Sequence, residues 1–158
     1  SCTLNDALGG DTSCAWGCLG LGECVDACTF GAIEMRDGLP VVDADACTGC
    51  GACADVCPRS VISIAEADPE HGVAYVACNS PRKGPLAKAV CDVSCLGCGI
   101  CSRKSENDLF RVEQFLAIAD PEAIRAHPDE ADDLIGLCPR DSIVRDLARE
   151  PVEADNAA

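Results

Sequence analysis

Short apolar runs occur in pairs along the chain, and a few polar residues separate the members of each pair. In one pair the intervening residues are Arg36, Asp37 and Gly38, and Asp-Gly between β-type runs is a strong hairpin signal. Two more pairs follow the same pattern, one around the segment EADPEHG and one around Glu113-Gln114. The pattern predicts three β-hairpins: 32–35 with 39–42, 61–65 with 73–77, and 109–112 with 115–119.

The first and third of these pairs each follow a cysteine-rich loop, so the chain contains a repeat of loop and hairpin. Short helices are expected after the cysteine triplets, at about 51–56 and 130–137. These elements predict an α+β fold of two tandem modules. The expected organisation is an N-terminal lead-in over 1–11, a first module over 12–77, a linker over 78–89, a second module over 90–147 and a tail over 148–158.

The composition indicates that metal holds these modules together. Fifteen of the 158 residues are cysteine and five are aromatic, so large side chains are too few to form a substantial core. Small domains of this kind depend on disulfides or metals. An odd number of cysteines does not allow complete disulfide pairing, and cysteines three apart in one loop rarely satisfy disulfide geometry.

The net charge of −15 excludes nucleic acid as a partner, since that requires a basic stripe. The segment 79–111 differs, with six basic residues against three acidic ones. It is interpreted either as a solvated basic loop or as a docking site for an acidic redox partner. There is no membrane-spanning run and no secretion signal, so a reducing, cytoplasmic location is expected.

CTGCGACADVCP, residues 47–58, is the most specific motif in the chain. Its spacing, C-x2-C-x2-C-x3-C-P, is that of bacterial ferredoxins, in which three thiolates bind one [4Fe-4S] cluster and the fourth cysteine binds the other cluster of a pair. Gly49 and Gly51 allow a tight loop that directs backbone N–H groups at the sulfurs. The alternative is a zinc ribbon, which requires paired C-x2-C knuckles.

CAWGCLGLGECVDAC, residues 14–28, supplies the other half of this pair. Aligned from Cys28, its middle position is Leu21, and Cys14 is expected to replace the absent thiolate. Crossed ligation then predicts two ligand sets. They are Cys14, Cys18, Cys24 and Cys57 for cluster 1, and Cys28, Cys47, Cys50 and Cys53 for cluster 2.

CLGCGICSRKS, residues 95–105, has three cysteines, but Ser105 stands where the fourth is expected. Under crossed ligation a later Cys-Pro supplies the missing thiolate, which gives cluster 3 the ligands Cys95, Cys98, Cys101 and Cys138. Four positions where complete motifs would have cysteine lack it: Ser105, Pro128, Ala131 and Leu134. Under crossed ligation these four positions would together bind one further cluster, which this chain has lost. Two alternatives stay open: Ser105 binds through oxygen, or the third cluster is a three-iron form.

Cys2, Cys78 and Cys91 stand outside these three sets. They are interpreted as buried free thiols, which are common in proteins, or as ligands of a fourth cluster completed by Cys14 or another residue. No catalytic residues are predicted, because the sequence contains no nucleophile–base pair and no phosphate-binding loop.

Four stretches carry a family resemblance: ALGGDTSCAWGCLGLGECVDAC, GAIEMRDGLPVVDADACTGCGACADVCP, YVACNSPRKG with KAVCDVSCLGCGIC, and VEQFLAIAD. They resemble the B subunit of the Rnf complex, the ion-translocating ferredoxin:NAD oxidoreductase. The resemblance implies a polyferredoxin with bacterial-type [4Fe-4S] modules. It also implies that electrons arrive from soluble ferredoxin at the cytoplasmic membrane face and pass toward a flavin subunit and NAD.

The sequence therefore predicts an electron-transfer subunit of an oxidoreductase complex, with three [4Fe-4S] clusters and bacterial-ferredoxin-like modules. The expected partners are soluble ferredoxin and other redox subunits, a flavin- or NAD-binding subunit among them. One alternative is the iron–sulfur subunit of a soluble hydrogenase, dehydrogenase or bifurcating complex. An alternative of another class is a zinc-stabilised interaction module.

Overall fold

A computed structural model describes residues 1–10 and 12–146 of the chain. The helices are α1 (Cys2–Ala7), α2 (Glu23–Asp26), α3 (Ala52–Asp55), α4 (Gly84–Lys88), α5 (Ile100–Lys104), α6 (Pro121–Ala126) and α7 (Pro128–Gly136). The strands are β1 (Ile33–Arg36), β2 (Leu39–Val42), β3 (Val73–Val76), β4 (Phe110–Glu113), β5 (Leu116–Ala119) and β6 (Ile143–Asp146). No helix in this part of the chain has the length and apolar character needed to cross a bilayer.

Two of the three predicted hairpins are confirmed. β1 pairs with β2 and β4 pairs with β5, both antiparallel. The turn residues Asp37 and Gly38 in the first hairpin, and Gln114 and Phe115 in the second, all have positive φ. Two-residue hairpin turns with positive φ match the twist of the flanking strands. The second turn lies one residue later than the sequence predicted, because no glycine marks its position.

The predicted hairpin of residues 61–65 with 73–77 is wrong. Residues 61–65 are described and none of them is in a strand, whereas β3 pairs antiparallel with the distant β6. This pairing buries Ala74 and Ile143, which are 2% and 3% exposed, in the main apolar cluster. Ile64, by contrast, stays 49% exposed. A local sequence pattern does not contain the information that selects such a distant partner.

The helices predicted at about 51–56 and 130–137 correspond to α3 and α7, whereas the other described helices, α1, α2, α4, α5 and α6, have no counterpart in the predicted ranges. A start signal for α6 is present, because Asp120 caps it and Pro121 opens it. α4 lies inside the expected linker at 78–89. The β3–β6 pairing joins a segment expected in the first module to the end of the second. The module boundaries therefore stay a prediction, and the tail at 148–158 lies outside the described residues.

Buried apolar residues are concentrated in the second half of the described chain. Their main cluster centres on Leu109 and Phe110, which are 0% and 1% exposed, and also includes Ala74, Cys95, Cys101, Ala117, Ile124, Ala131, Leu134 and Ile143. Before residue 74, the buried apolar residues of the described chain are Cys24, Ala32 and Ile33. The first half therefore has little apolar packing of its own.

Candidate iron–sulfur sites

Three cysteine loops share one backbone geometry. Each begins with a cysteine, has glycines two and four residues later, and then enters a short helix. The first glycine donates its N–H to the cysteine sulfur in each loop: Gly20 to Cys18 at 3.3 Å, Gly49 to Cys47 at 3.5 Å, and Gly97 to Cys95 at 3.4 Å. The second glycine has φ between +72° and +85° and caps α2, α3 or α5. Backbone N–H groups are thus directed at sulfur in all three loops, which the sequence predicted for the loop of Gly49 and Gly51.

Four turns that follow these helices or α7 share a second geometry. They begin at Cys28, Cys57, Ser105 and Cys138, and in each the residue three positions later has positive φ. Those later residues are Gly31, Ser60, Asp108 and Asp141. Ser105 thus occupies the backbone position of a fourth cysteine. The sequence does not reveal this repeat, because the positive-φ position is a glycine in one of the four turns.

The first site is a cavity that three of the four predicted cluster 1 ligands line: Cys18, Cys24 and Cys57. Cys14 is not among the lining residues, and its side chain lies against Gly17 instead. Cys2 lines the cavity together with the other three cysteines. Burial raises the pKa of the Cys24 thiol, and the neighbouring Cys18 and Cys2 raise the pKa further.

The second site lies at the surface. Cys47 and Cys50 are exposed, whereas Cys28 and Cys53 are partly buried. Helix α2, which ends shortly before Cys28, packs against α3, which carries Cys53. The two sequence segments of this site are therefore neighbours, and the set Cys28, Cys47, Cys50 and Cys53 stays a prediction.

The third site is built into the main apolar cluster. Cys95 and Cys101 are 9% and 8% exposed, and Cys95 Sγ accepts a second hydrogen bond from the N–H of Ala117 at 3.4 Å. Burial raises the pKa of the Cys101 thiol, and the neighbouring Cys95, Cys98 and Cys138 raise the pKa further. Cys138 packs against the apolar cluster that contains Cys95 and Cys101, and its place in the ligand set stays a prediction.

Ordinary packing and hydrogen bonds occupy positions expected for the lost cluster. Ser105 Oγ donates to Glu130 Oε1 at 2.8 Å and accepts from the N–H of Leu109 at 2.8 Å. These bonds engage the hydroxyl and disfavour Ser105 as an oxygen ligand. Ala131 and Leu134, two further positions of that cluster, are 0% and 2% exposed and belong to the main apolar cluster.

Glu130 is the hydrogen-bond centre of this region. Besides Ser105, its carboxylate accepts from the N–H of Glu106 at 2.7 Å and from Nδ2 of Asn107 at 2.6 Å. These bonds, the one from the Asn107 side chain foremost, lower the pKa of Glu130 to about 2. The ionised carboxylate therefore fastens α7 to the turn that follows α5.

Cys78 and Cys91 are partly buried thiols, as is Cys14. Two buried polar atoms, Ser94 Oγ and Arg140 Nε, have no hydrogen-bond partner among the described residues. Ser94 directly precedes Cys95 and Arg140 follows Cys138 by two residues. Both atoms are donors and sulfur is an acceptor, so an iron–sulfur cluster fits these surroundings.

In residues 1–10 and 12–146 no group of three or more His, Cys, Asp or Glu side chains is placed to hold a single metal ion. A [4Fe-4S] cluster makes a different demand on the chain, because each of its thiolates binds a different iron.

Residues 40–63 match the family model of the 4Fe-4S binding domain. The chain is 43% identical over 131 residues to the B subunit of the ion-translocating oxidoreductase complex of Methanosarcina acetivorans. It is 43% identical over 136 residues to the B subunit of the proton-translocating ferredoxin:NAD(+) oxidoreductase complex of Clostridium ljungdahlii. The resemblance to these B subunits is confirmed.

A third B subunit, from the Na(+)-translocating ferredoxin:NAD(+) oxidoreductase complex of Acetobacterium woodii, is 35% identical over 142 residues. The three alignments cover 82%, 85% and 89% of this chain but 47%, 46% and 40% of the relatives. The chain thus spans less than half the length of each of these B subunits. The family match identifies 4Fe-4S clusters as the cofactor class.

The sequence did not single out Glu130 or Arg59, and it left Cys2 outside the three main sets. Arg59 Nη1 donates to the carbonyl oxygens of Cys14 and Gly17 at 3.1 and 3.0 Å. Its position directly after Cys57-Pro58 is the available sequence signal, but the acceptors lie more than forty residues earlier.

Replacing Glu130 by Gln should destabilise the second half of the chain, because the carboxylate accepts several bonds that an amide cannot reproduce. We expect the melting temperature at pH 7 to fall by roughly 2–4 °C, measured by circular dichroism under anaerobic conditions. The pKa of Glu130 is lowered from 4.5 to about 2, so its stabilisation is complete above pH 4.5 and is lost as the pH falls toward 2.

The fall in melting temperature caused by Glu130→Gln should accordingly be constant between pH 8 and 5. Asp133→Asn is the matched control, an acid-to-amide change at an exposed position of the same helix, and it should leave the melting temperature unchanged. If both variants had the same melting temperature as the wild type, this role of Glu130 would be contradicted.

Replacing Gly97 by Ala should abolish cluster binding at the third site. A Cβ at Gly97, where φ is +63°, would lie 2.4 Å from the carbonyl oxygen of Phe115, so the loop must shift. We expect a loss of about four iron atoms per chain after anaerobic reconstitution, measured as iron and acid-labile sulfide. The control is Gly136→Ala in α7, where an added Cβ meets nothing within 4 Å, and full iron content in Gly97→Ala would refute the prediction.

Proposed function

We propose that this chain is an electron-transfer subunit, a polyferredoxin that relays single electrons between redox partners in a multisubunit oxidoreductase. One observation carries the proposal. Crossed ligation requires a thiolate from a distant turn at each site. Cys57 lines the first cavity with Cys18 and Cys24, and Cys138 packs against the apolar cluster that contains Cys95 and Cys101. A structural zinc site would not require this exchange of ligands between motifs.

The proposed cofactors are three [4Fe-4S] clusters in tandem ferredoxin-like modules. A bound cluster supplies a one-electron redox couple. The chain supplies thiolates, N–H donors to sulfur, as at Cys18, Cys47 and Cys95, and a low exposure to water at Cys24 and Cys101. Hydrogen bonds to sulfur and solvent exposure both set the reduction potential of such clusters.

The relatives are named as subunits of ferredoxin:NAD(+) oxidoreductase complexes. By extension, soluble ferredoxin and a flavin- or NAD-binding subunit are the proposed partners of this chain, at the cytoplasmic face of the membrane. The alternative within electron transfer is a soluble hydrogenase, dehydrogenase or bifurcating complex. Identification of the subunits that co-purify with the chain distinguishes the two.

Cys138→Ala should selectively remove the cluster of the third site. We expect iron to fall from about twelve to about eight atoms per chain, with loss of one component from the EPR spectrum of the reduced protein. Ser105→Ala is the matched control and should keep that component, because the hydroxyl is bonded within the chain. An unchanged spectrum in Cys138→Ala would refute crossed ligation, and zinc without sulfide in the wild type would favour the zinc-stabilised interaction module.

A patch of basic side chains borders the third site. Arg103 Nη1 donates to the carbonyl of Cys98 at 2.9 Å, and Lys83 Nζ lies 5.6 Å from the centroid of the Phe115 ring. Lys104 follows Arg103 on α5. We call Lys83, Arg103 and Lys104 the basic rim; all three are exposed, as is Cys98. An acidic redox protein that docks here would reach the cluster from its exposed side.

Lys104→Glu should slow electron exchange with an acidic bacterial ferredoxin, because charge complementarity mainly affects the association rate. We expect the association rate constant from stopped-flow kinetics to fall by a factor of about 3–10 at low salt and the difference to vanish at high salt. Arg36→Glu in β1 makes the same charge change on the first hairpin and should have little effect. An equal effect of both variants would show that net charge, not the basic rim, governs the encounter.

A further inference from the structure

We propose that Cys2, and not Cys14, is the fourth thiolate ligand of cluster 1. The proposal rests on the proposed function, because it assigns a ligand within one of the three proposed clusters. In the loops of the second and third sites, Cys50 and Cys98 occupy the middle position of the motif. The first loop has Leu21 at this position, so its thiolate must come from elsewhere in the chain.

The cavity of the first site identifies the replacement. Cys2 lines it together with Cys18, Cys24 and Cys57, so four thiols border the same pocket. Four thiols are the number that a [4Fe-4S] cluster requires.

Polar contacts hold α1 against the other ligands of this site. The N–H and hydroxyl of Thr3 both donate to Glu23 Oε2, at 2.8 and 2.9 Å, and Glu23 directly precedes Cys24. Asp6 forms an ion pair with Arg59 at 2.8 Å, and Arg59 follows Cys57-Pro58. The helix that carries Cys2 is therefore fastened beside two of the three remaining ligands.

Apolar burial does not account for the position of α1. The helix contains no buried residue, and Leu4 is 62% exposed. A helix of six residues is not stable by itself in water. Cys2 is the residue that α1 contributes to the cavity, so delivery of a thiolate gives this short helix a function.

Cys14 has a different role in the same region. Its side chain lies against Gly17, and its carbonyl accepts from Thr12 Oγ1 at 2.9 Å and from Arg59 Nη1 at 3.1 Å. Cys14 thus contributes its backbone to the network around Arg59. The cluster 1 ligands become Cys2, Cys18, Cys24 and Cys57.

The test compares Cys2→Ala, Cys14→Ala and Cys24→Ala, each in the full chain reconstituted anaerobically with iron and sulfide. Cys2→Ala should lose between one and four iron atoms per chain, as Cys24→Ala should, whereas Cys14→Ala should keep the wild-type content of about twelve. The EPR spectrum of Cys2→Ala should lose the cluster 1 component or show a three-iron signal. Loss in Cys14→Ala with full content in Cys2→Ala would overturn the assignment.

A second measurement does not require any variant. Ligating thiolates are protected from alkylation in the loaded wild-type protein, so iodoacetamide labelling and mass spectrometry should find Cys2 unmodified until iron is chelated. Labelling of Cys2 in the loaded protein would refute its role while leaving the electron-transfer proposal intact. Absence of iron and sulfide from the reconstituted wild type would instead refute the proposed function itself.

Discussion

In the proposed ligation, the structure depends on the pairing of each cysteine loop with a thiolate from a distant turn. A loop such as 95–101 places three sulfurs through local geometry, but Cys138 reaches it from another part of the chain. Closing such a long loop costs conformational entropy, and in metal-dependent domains the free energy of metal binding serves as folding free energy. Cofactor binding and folding are therefore coupled most strongly where apolar burial is least.

The two halves of the chain show this dependence to different degrees. The described first half buries Cys24, Ala32 and Ile33 and little other apolar surface. The second half has the main apolar cluster around Leu109 and Phe110. This packing lies where the motif pattern predicts a lost iron–sulfur cluster. Apolar side chains and the hydrogen bonds of Glu130 thus stabilise a region that an iron–sulfur cluster would otherwise hold together.

The sequence predicted what local chemistry determines. Glycine spacing predicted the loops and their N–H donors to sulfur, and Asp37-Gly38 predicted the first hairpin. The ferredoxin pattern also indicated Cys138, because crossed ligation is a rule about motifs rather than about distance. The β3–β6 pairing and the approach of Cys2 to Cys24 were not predictable in this way. They depend on tertiary packing and on anchors such as Arg59, whose partners lie far away in the sequence.

In the proposed assignment, the exposure of the three sites favours a relay with the first site inside it. The second site exposes Cys47 and Cys50 and the third exposes Cys98, whereas the first lies in a cavity that α1 and Arg59 border. The guanidinium of Arg82, next to Lys83 of the basic rim, lies 4.9 Å from the ring centroid of Trp16, two residues before the first loop begins at Cys18. This contact brings the loop of the first site beside the border of the third.

In the proposed assignment, electrons exchanged at the basic rim pass through the first site on the way to the exposed second one, or in the reverse direction. In that assignment α1 supplies Cys2 to the site that has no exposed thiol.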